Sequence, residues 1–207
     1  MRVRITFHKT EAMRYTGHLD LHRAWERAFR RANLPLAYSQ GYNPRPKINL
    51  ASALPLGFTS ENEVLDVRFD KQLRISDIAQ ALNPALPPGI QLDHLQEIDP
   101  HEPALQSQIQ SSNYTITFLD PFPELPERVQ GIIAAEHIQR ERRGKAYDLR
   151  PLVERISPPS RNEHGQEQIS VQLAAREGAT GRPEELISAL GYDPMAARVH
   201  RTKIIFK

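Results

Sequence analysis

A loop between residues 38 and 47 combines three kinds of side chain that contact nucleic acids. Cations meet phosphates, aromatic rings stack on unpaired bases, and amides hydrogen-bond base edges. In chain order these residues are Tyr38, Gln40, Tyr42, Asn43, Arg45 and Lys47. Gly41 permits unusual backbone angles, and Pro44 and Pro46 stiffen the chain that follows, so the loop can present its side chains at low entropic cost. The alternative is a purely structural Gly/Pro turn with Tyr38 packed in the core.

Two histidines four residues apart, His18 and His22, have the spacing that can share a metal on a helix. Asp20 lies between them but points away from the face they would share, and no HExxH motif occurs, so we expect no metal site. His18 near a helix N-terminus can instead act as a general base or phosphate donor, with Arg14 and Tyr42 completing the site of a metal-independent ribonuclease. The alternative is an ordinary first helical turn in which Asp20 complements the helix dipole.

A second basic cluster surrounds Gly144. Its members are Arg140, Arg142, Arg143 and Lys145. Glu136, Glu141 and Asp148 dilute its charge, so the cluster is either a solvated hairpin or an extension of a track for RNA.

Composition excludes several classes of protein. The 207 residues include no cysteine, which rules out disulfides, thiolate metal sites and a cysteine nucleophile. The absence of GxxxxGK[ST], GxGxxG and GxSxG motifs argues against nucleotide-binding enzymes and serine hydrolases. Charged and apolar residues alternate from Arg2 onward, leaving no apolar stretch for a signal peptide or a membrane span. We therefore expect a cytoplasmic protein without a membrane partner and without a resident cofactor.

Charge is segregated along the chain. Residues 1–50 carry ten Lys/Arg and three Asp/Glu, whereas residues 51–110 carry three and nine. A basic segment of this size attracts nucleic acid or an acidic protein. The alternative is that the two segments neutralise each other in the fold.

A helix from Thr16 or Gly17 to about Asn33 would position the first basic surface. Its apolar residues recur every three or four positions and predict a core-facing stripe, formed by Leu21, Ala24, Trp25, Ala28, Phe29 and Ala32. Four arginines fall off that stripe and are expected to face solvent, namely Arg23, Arg27, Arg30 and Arg31. We count Arg14, Arg27 and Arg31 with the loop residues as predicted contacts to nucleic acid or a partner.

The same order of predicted elements occurs twice. The first half has extended segments at Arg2–His8, Leu36–Ser39, Lys47–Ala53, Glu63–Phe69 and Ile90–Leu95, with helices at 17–33 and Ser76–Leu82. The second half has strands at Tyr114–Leu119, Ile138–Arg142, Ile169–Ala174 and Ala197–Phe206, with helices at Pro123–Ala135 and Pro183–Leu190. This order predicts an α+β fold of two tandem ferredoxin-like (βαββαβ) units, each with an antiparallel sheet that helices cover on one face only. The expected boundaries are 1–98, a connector at 99–112, and 113–207.

The sequence resembles a known family in several ordered blocks. These are Phe7-His8-Lys9, MRYTGHLD at Met13–Asp20, and LPLAYSQGYNPRPKINLASALPLGF at Leu34–Phe58, with looser agreement at Glu141–Lys145, Asp148–Pro151 and Arg201-Thr202. They are similar to the radical-SAM-linked proteins of unknown function, which are domains fused to, or encoded beside, radical SAM proteins with a cobalamin-binding region. The resemblance implies an accessory domain that works with a radical SAM partner, and it points to RNA. This chain has no CxxxCxxC motif, so any radical chemistry would reside in the partner.

Three hypotheses follow. The first is an accessory module that binds RNA of the tRNA or rRNA class and is not itself an enzyme. The second is a metal-independent enzyme that processes or modifies RNA through His18 or Asp20. The third is a protein-interaction module that docks an acidic partner.

Overall fold

The computed structural model describes residues 1–142 and 144–207. Over these residues the chain is a mixed α+β protein with four α-helices and antiparallel strand pairing. It divides into two compact units, Met1–Gln108 and Ile109–Lys207. This division falls inside the segment predicted to be a connector. In the described part of the chain, no helix is long and apolar enough to cross a membrane.

The first unit is a four-stranded sheet with two helices. Its elements are β1 (Arg2–Lys9), α1 (His18–Arg31), β2 (Ile48–Leu50), β3 (Phe58–Arg68), α2 (Ile75–Leu82) and β4 (Ile90–Ile98). The strands lie in the order β2, β3, β1, β4, all antiparallel. The strand predicted at Arg2–His8 is confirmed, and its register pairs Ile5 with Leu65.

The core of this unit explains why α1 lies where it does. Leu21, Trp25, Ala28 and Phe29 on the predicted stripe are all buried. Trp25 packs edge-on against Phe7 of β1, with ring centroids 4.8 Å apart. Each large apolar side chain of the stripe contributes about 2 kcal/mol of burial free energy, so the stripe fixes which face of α1 remains in solvent.

The predicted strand at Leu36–Ser39 is not a strand. Only two isolated bridges occur, Leu36 with Phe69 and Tyr38 with Pro46. The chain touches the edge of the sheet at Leu36, leaves it, and returns to form β2. Pro35 and Pro46 lack the N–H groups that a continuous edge strand would use.

The sheet face opposite the helices is covered in part, contrary to the expectation of a free face. Residues 99–108, which we call the strap, lie against it. Arg2 donates hydrogen bonds to the carbonyl oxygens of Glu102 (2.6 Å) and Pro103 (3.0 Å), and Arg68 donates to that of Pro100 (2.7 Å). The sequence pattern missed this because a polar, proline-rich segment has no periodicity that reveals burial.

A buried carboxylate anchors the same face. Asp66 is 2% exposed and accepts hydrogen bonds from Arg2 and Arg4 at 2.6–3.2 Å. Arg2 is itself buried, and Asp66 together with the strap carbonyls accepts its hydrogen bonds away from water. These charged residues of β1 and β3 therefore stabilise the fold.

The second unit also combines two helices with an antiparallel sheet. Its elements are β5 (Ile109–Phe118), α3 (Leu125–Ala134), β6 (Gln139–Arg142), β7 (Lys145–Asp148), β8 (Val153–Ile156), β9 (Ser160–Arg161), β10 (Glu167–Arg176), β11 (Ala179–Thr180), α4 (Pro183–Ala189) and β12 (Ala197–Phe206). The main order is β8, β10, β5, β12, and β9 and β11 also pair with β10.

One strand of the second unit was assigned to the wrong sheet. The segment predicted at Ile138–Arg142 forms β6, but it pairs with β7 in a separate hairpin. The position beside β10 is taken by β8. That strand has only four residues between Pro151 and Pro158, two of them charged, so it gives no clear period-two signal.

Candidate nucleic-acid interface

The segment at residues 37–47, which we call the arm, projects from the edge of the first sheet. Ala37 N–H donates to the carbonyl of Arg68 (2.9 Å), and Lys47 N–H donates to the carbonyl of Ala37 (2.8 Å). Arg68 N–H in turn donates to the carbonyl of Lys47 (3.0 Å). Both ends of the arm are thus hydrogen-bonded to the backbone of the same β3 residue, Arg68.

Further hydrogen bonds join the two sides of the arm nearer its tip. Ser39 N–H donates to the carbonyl of Arg45 (2.9 Å), while Arg45 N–H donates to the Ser39 hydroxyl (3.0 Å). Gly41 has φ +122°, a conformation that side chains rarely adopt, so the sharp turn at the tip depends on glycine. The tip is therefore held by hydrogen bonds and local geometry.

Every predicted contact residue of the arm reaches solvent. Tyr42 is fully exposed and Tyr38 is 37% exposed, so Tyr38 is not a core residue as the structural alternative supposed. The other exposed positions are Gln40, Asn43, Arg45 and Lys47. The arm thus displays cations, amides and aromatic rings on one short segment.

The arginines of α1 face solvent, as predicted. Arg23 pairs with Asp20 at 3.2 Å and Arg30 pairs with Glu26 at 2.7 Å. The other two exposed arginines of the helix are Arg27 and Arg31. Helix α1 adjoins the edge strand that follows the arm, since His22 Nε2 lies 3.2 Å from the Ile48 carbonyl oxygen.

Four of these exposed cations have no ion-pair partner. Within the described residues, no carboxylate lies within 4 Å of Arg27, Arg31, Arg45 or Lys47. The acidic segment at residues 51–110 therefore does not neutralise them by direct pairing.

Arg14 is placed differently from the other predicted contacts. Its side chain is 12% exposed, and its Nε donates to the carbonyl of Gly57 (2.8 Å). Gly57 N–H donates back to the carbonyl of Arg14 (3.0 Å). The structure thus uses Arg14 to hold the turn before β3.

His18 is the first residue of α1 and is partly buried. Burial lowers the pKa of His18, and the nearby His22 lowers it further, while Glu63 acts in the opposite direction. Asp20 instead faces solvent in the first turn, paired with Arg23. No group of three or more His, Asp or Glu residues in the described chain could hold a metal.

Sequence reasoning missed two buried charged residues of the first sheet. Lys9 at the end of β1 is fully buried, and its Nζ donates to the carbonyls of Phe58 (3.0 Å) and Arg14 (3.2 Å). Glu63 of β3 is 1% exposed. Their charges interrupt strands that are otherwise apolar on the helix-facing side, which was a usable signal.

The second basic cluster lies on the β6–β7 hairpin. Arg140 Nε is 3.6 Å from a Glu185 carboxylate oxygen, and the Arg142 guanidinium lies over the Tyr147 ring at 6.0 Å. Lys145 is exposed. Arg143 lies outside the described residues. Part of the cluster thus has a structural role within the second unit.

Comparisons with known proteins give a fold and a family. One similar solved structure is titled "Crystal Structure of a Cbf5-Nop10-Gar1 Complex", with a TM-score of 0.51 and 13% identity. The match covers 98% of this chain and 48% of that one, so our chain spans about half of its length. No curated protein matches the chain. The model of a bacterial family described as "Uncharacterized protein conserved in bacteria (DUF2344)" matches residues 2–183, and the chain belongs to that family.

Proposed function

We propose that this protein is an accessory RNA-binding module whose interface is formed by the arm and the exposed arginines of α1. One observation carries the proposal. Arg27, Arg31, Arg45 and Lys47 are exposed cations without a carboxylate partner in the described chain, and they accompany a fully exposed tyrosine at the tip of the arm. The fold gains no ion pair from these cations.

The combination fits RNA better than an acidic protein. Phosphates can pair with the cations, and unpaired bases can stack on Tyr42 and Tyr38. An acidic protein surface would satisfy the cations but would not need an isolated aromatic ring at the tip of an arm. Single-stranded loops and ends of a structured RNA offer phosphates and unstacked bases together.

The hydrogen bonds at the base of the arm support binding in a second way. Because Ser39 and Arg45 bond each other through two hydrogen bonds, much of the arm's conformational entropy is lost on folding. Less has to be lost when RNA binds, so a small surface can still hold its ligand.

A titration with fluorescently labelled RNA stem-loop tests this function. We expect Arg45→Ala with Lys47→Ala to weaken binding strongly. A charge-matched control, Lys71→Ala with Arg74→Ala, removes two exposed cations elsewhere in the same unit and should bind like the wild type. Equal weakening in both variants would attribute binding to net charge alone, and absence of binding would refute the proposal.

We also propose that the module works with a radical SAM partner. The support is the sequence resemblance at Met13–Asp20 and Leu34–Phe58, together with the lack of cysteine in this chain. Purification of the tagged protein from its native cells is the test. A radical SAM protein recovered with the wild type supports the partnership, and its absence under gentle conditions contradicts it.

Catalysis at His18 is a second candidate, favoured by the partial burial of His18 at the start of α1. A lowered pKa leaves His18 neutral at pH 7, which suits a general base. Cleavage or modification of RNA by the purified chain, abolished by His18→Ala and unaffected by the exposed-site control His94→Ala, would favour this function. If the purified chain leaves the RNA unchanged, catalysis at His18 is refuted.

For the fold, we propose that each unit is ferredoxin-like. The support is the strand order β2, β3, β1, β4 in the first unit and β8, β10, β5, β12 in the second. In both, two helices connect the strands in a βαββαβ order once the β6–β7 hairpin and the two-residue strands β9 and β11 are set aside as insertions.

A further inference from the structure

A cleft with both polar and apolar lining lies on the sheet of the second unit, outside every residue discussed so far as a contact. It has a volume of about 460 Å³, within the usual range for small-molecule sites. Its polar lining comes from β5, β10, β12 and the region of β8, and consists of Asn113, Thr115, Arg155, Ser157, Ser170, Gln172 and Thr202. The cleft thus crosses all four main strands.

Two cross-strand pairs form its floor. Asn113 lies opposite Gln172, and Thr115 lies opposite Ser170, so these four side chains share one face of the sheet. Their neighbour Tyr114 is buried on the other face. The helix-facing side therefore holds the core, and the cleft side is left with amides and hydroxyls.

Two β-bulges adjoin this floor. The pairing of β10 with β8 shifts register between Gln172 and Leu173, and the pairing of β12 with β5 shifts at Thr202, between Arg201 and Lys203. Bulges redirect side chains and are common beside functional sites.

Hydrogen-bonding capacity in the cleft is partly unused. The Asn113 amide oxygen is buried and has no hydrogen-bond partner among the described residues. The Gln172 amide nitrogen is held by Ser111 (3.0 Å) and Glu154 (2.8 Å), which fixes the orientation of that side chain. A buried acceptor without a partner is costly unless a ligand or water satisfies it.

The charge of the cleft is positive. Arg155 is the charged residue that lines it, and it is exposed without a carboxylate within 4 Å in the described chain. Its neighbour Glu154 is committed to Arg176 at 2.6 Å and to Gln172. The guanidinium of Arg155 is thus available for a phosphate.

We propose that this cleft binds a nucleotide, with its phosphate on Arg155 and its base edge on Asn113 and Gln172. From Arg155 on β8 to Asn113 on β5 the floor spans two strand spacings, about 10 Å, which is about the distance between the base edge and the phosphate of an extended nucleotide. Thr115 of β5 and Thr202 of β12 supply hydroxyl groups on the side of the cleft nearest β12. The nucleotide can be free or part of an RNA strand, and only the second source rests on the proposed function.

The test is NMR titration of the labelled full chain with uridine 5′-monophosphate, uridine, inorganic phosphate and a short single-stranded oligouridylate. We expect saturable shifts of the backbone amides of Asn113, Ser170 and Gln172 with the nucleotide. Arg155→Ala should weaken binding about tenfold, the loss of one charge-assisted contact. Arg182→Ala removes an exposed cation elsewhere in the unit and should leave binding unchanged.

Three results would overturn the proposal. They are no saturable shift at about 10 mM nucleotide, equal affinity in Arg155→Ala, and equal affinity of inorganic phosphate, which would indicate an anion site only. If the oligouridylate competes with the nucleotide, the natural ligand is a nucleotide within an RNA strand. If it does not compete while the nucleotide still binds, the natural ligand is a free nucleotide. Nucleotide binding without RNA binding at the arm would refute the proposed function and leave the cleft standing.

Discussion

The salt dependence of RNA binding gives a quantitative check of the proposed interface. Four exposed cations lack a carboxylate partner in the described chain, namely Arg27, Arg31, Arg45 and Lys47. Each cation that neutralises one phosphate of a single strand contributes about −0.7 to the slope of log K against log salt. Four contacts predict a slope of about −2.8, so raising salt from about 50 to 200 mM should weaken binding about 50-fold.

Replacing two of these cations should change the slope and not just the affinity. Arg45→Ala with Lys47→Ala leaves two contacts and predicts a slope of about −1.4, so the same rise in salt should weaken binding only about sevenfold. Fluorescence anisotropy with a labelled stem-loop over a series of salt concentrations measures both slopes.

The control and the refuting result are equally specific. Lys71→Ala with Arg74→Ala carries the same change in net charge and should keep the wild-type slope. A wild-type slope near zero, or one that Arg45→Ala with Lys47→Ala leaves unchanged, would show that phosphates do not contact these residues.

Three further predictions concern single residues. Tyr42→Ala should cost about 1–3 kcal/mol of RNA affinity with the salt slope unchanged, while Tyr42→Phe, which keeps the stacking ring, should bind normally in the same assay. Asp66→Ala removes the buried carboxylate that pairs with Arg2 and Arg4, and it should lower the free energy of unfolding by about 3–5 kcal/mol in urea titrations. A loss below about 1 kcal/mol would contradict this account. His137 and then the Ile138 and Arg150 N–H groups lower the pKa of Asp148 from 3.8 to about 2. Because the folded pKa lies below the unfolded one, the stabilisation of the fold by this carboxylate is present above pH 3.8 and is lost as pH falls towards 2. An NMR titration measures the pKa of the Asp148 carboxyl, with Asp148→Asn as the control that lacks this group.

Local periodicity predicted the first helix and most strands well. The stripe through Leu21, Trp25 and Phe29 is confirmed as the buried side of α1, which also placed the arginines in solvent. Burial of an amphipathic helix follows from spacing alone, so no tertiary information was needed. The arm was identified in the same way, because Gly41 and two prolines mark an irregular segment whatever packs beside it.

Sequence patterns alone did not predict which distant segments pair with each other. Nothing local distinguishes β6, which forms a hairpin, from β8, which joins the sheet, because strand pairing depends on partners far along the chain. The strap was taken for a connector since its hydrogen bonds to Arg2 and Arg68 are visible only when residues about 30 to 100 positions apart meet. The hydrogen bond of Arg14 to Gly57 was beyond local sequence patterns for the same reason, since the two residues lie 43 positions apart.

By itself, the sequence determined where the basic charge lies, which residues form the arm, and which side of α1 is buried, because composition and spacing are local properties. Only the tertiary structure decided which of those charges remain without a partner. Arg14 and Arg2 are held by backbone carbonyls and a buried carboxylate, whereas Arg45 and Lys47 stay free of carboxylates on an arm pinned to Arg68. A cation's availability for a ligand depends on what else lies within hydrogen-bonding distance, and folding sets those distances.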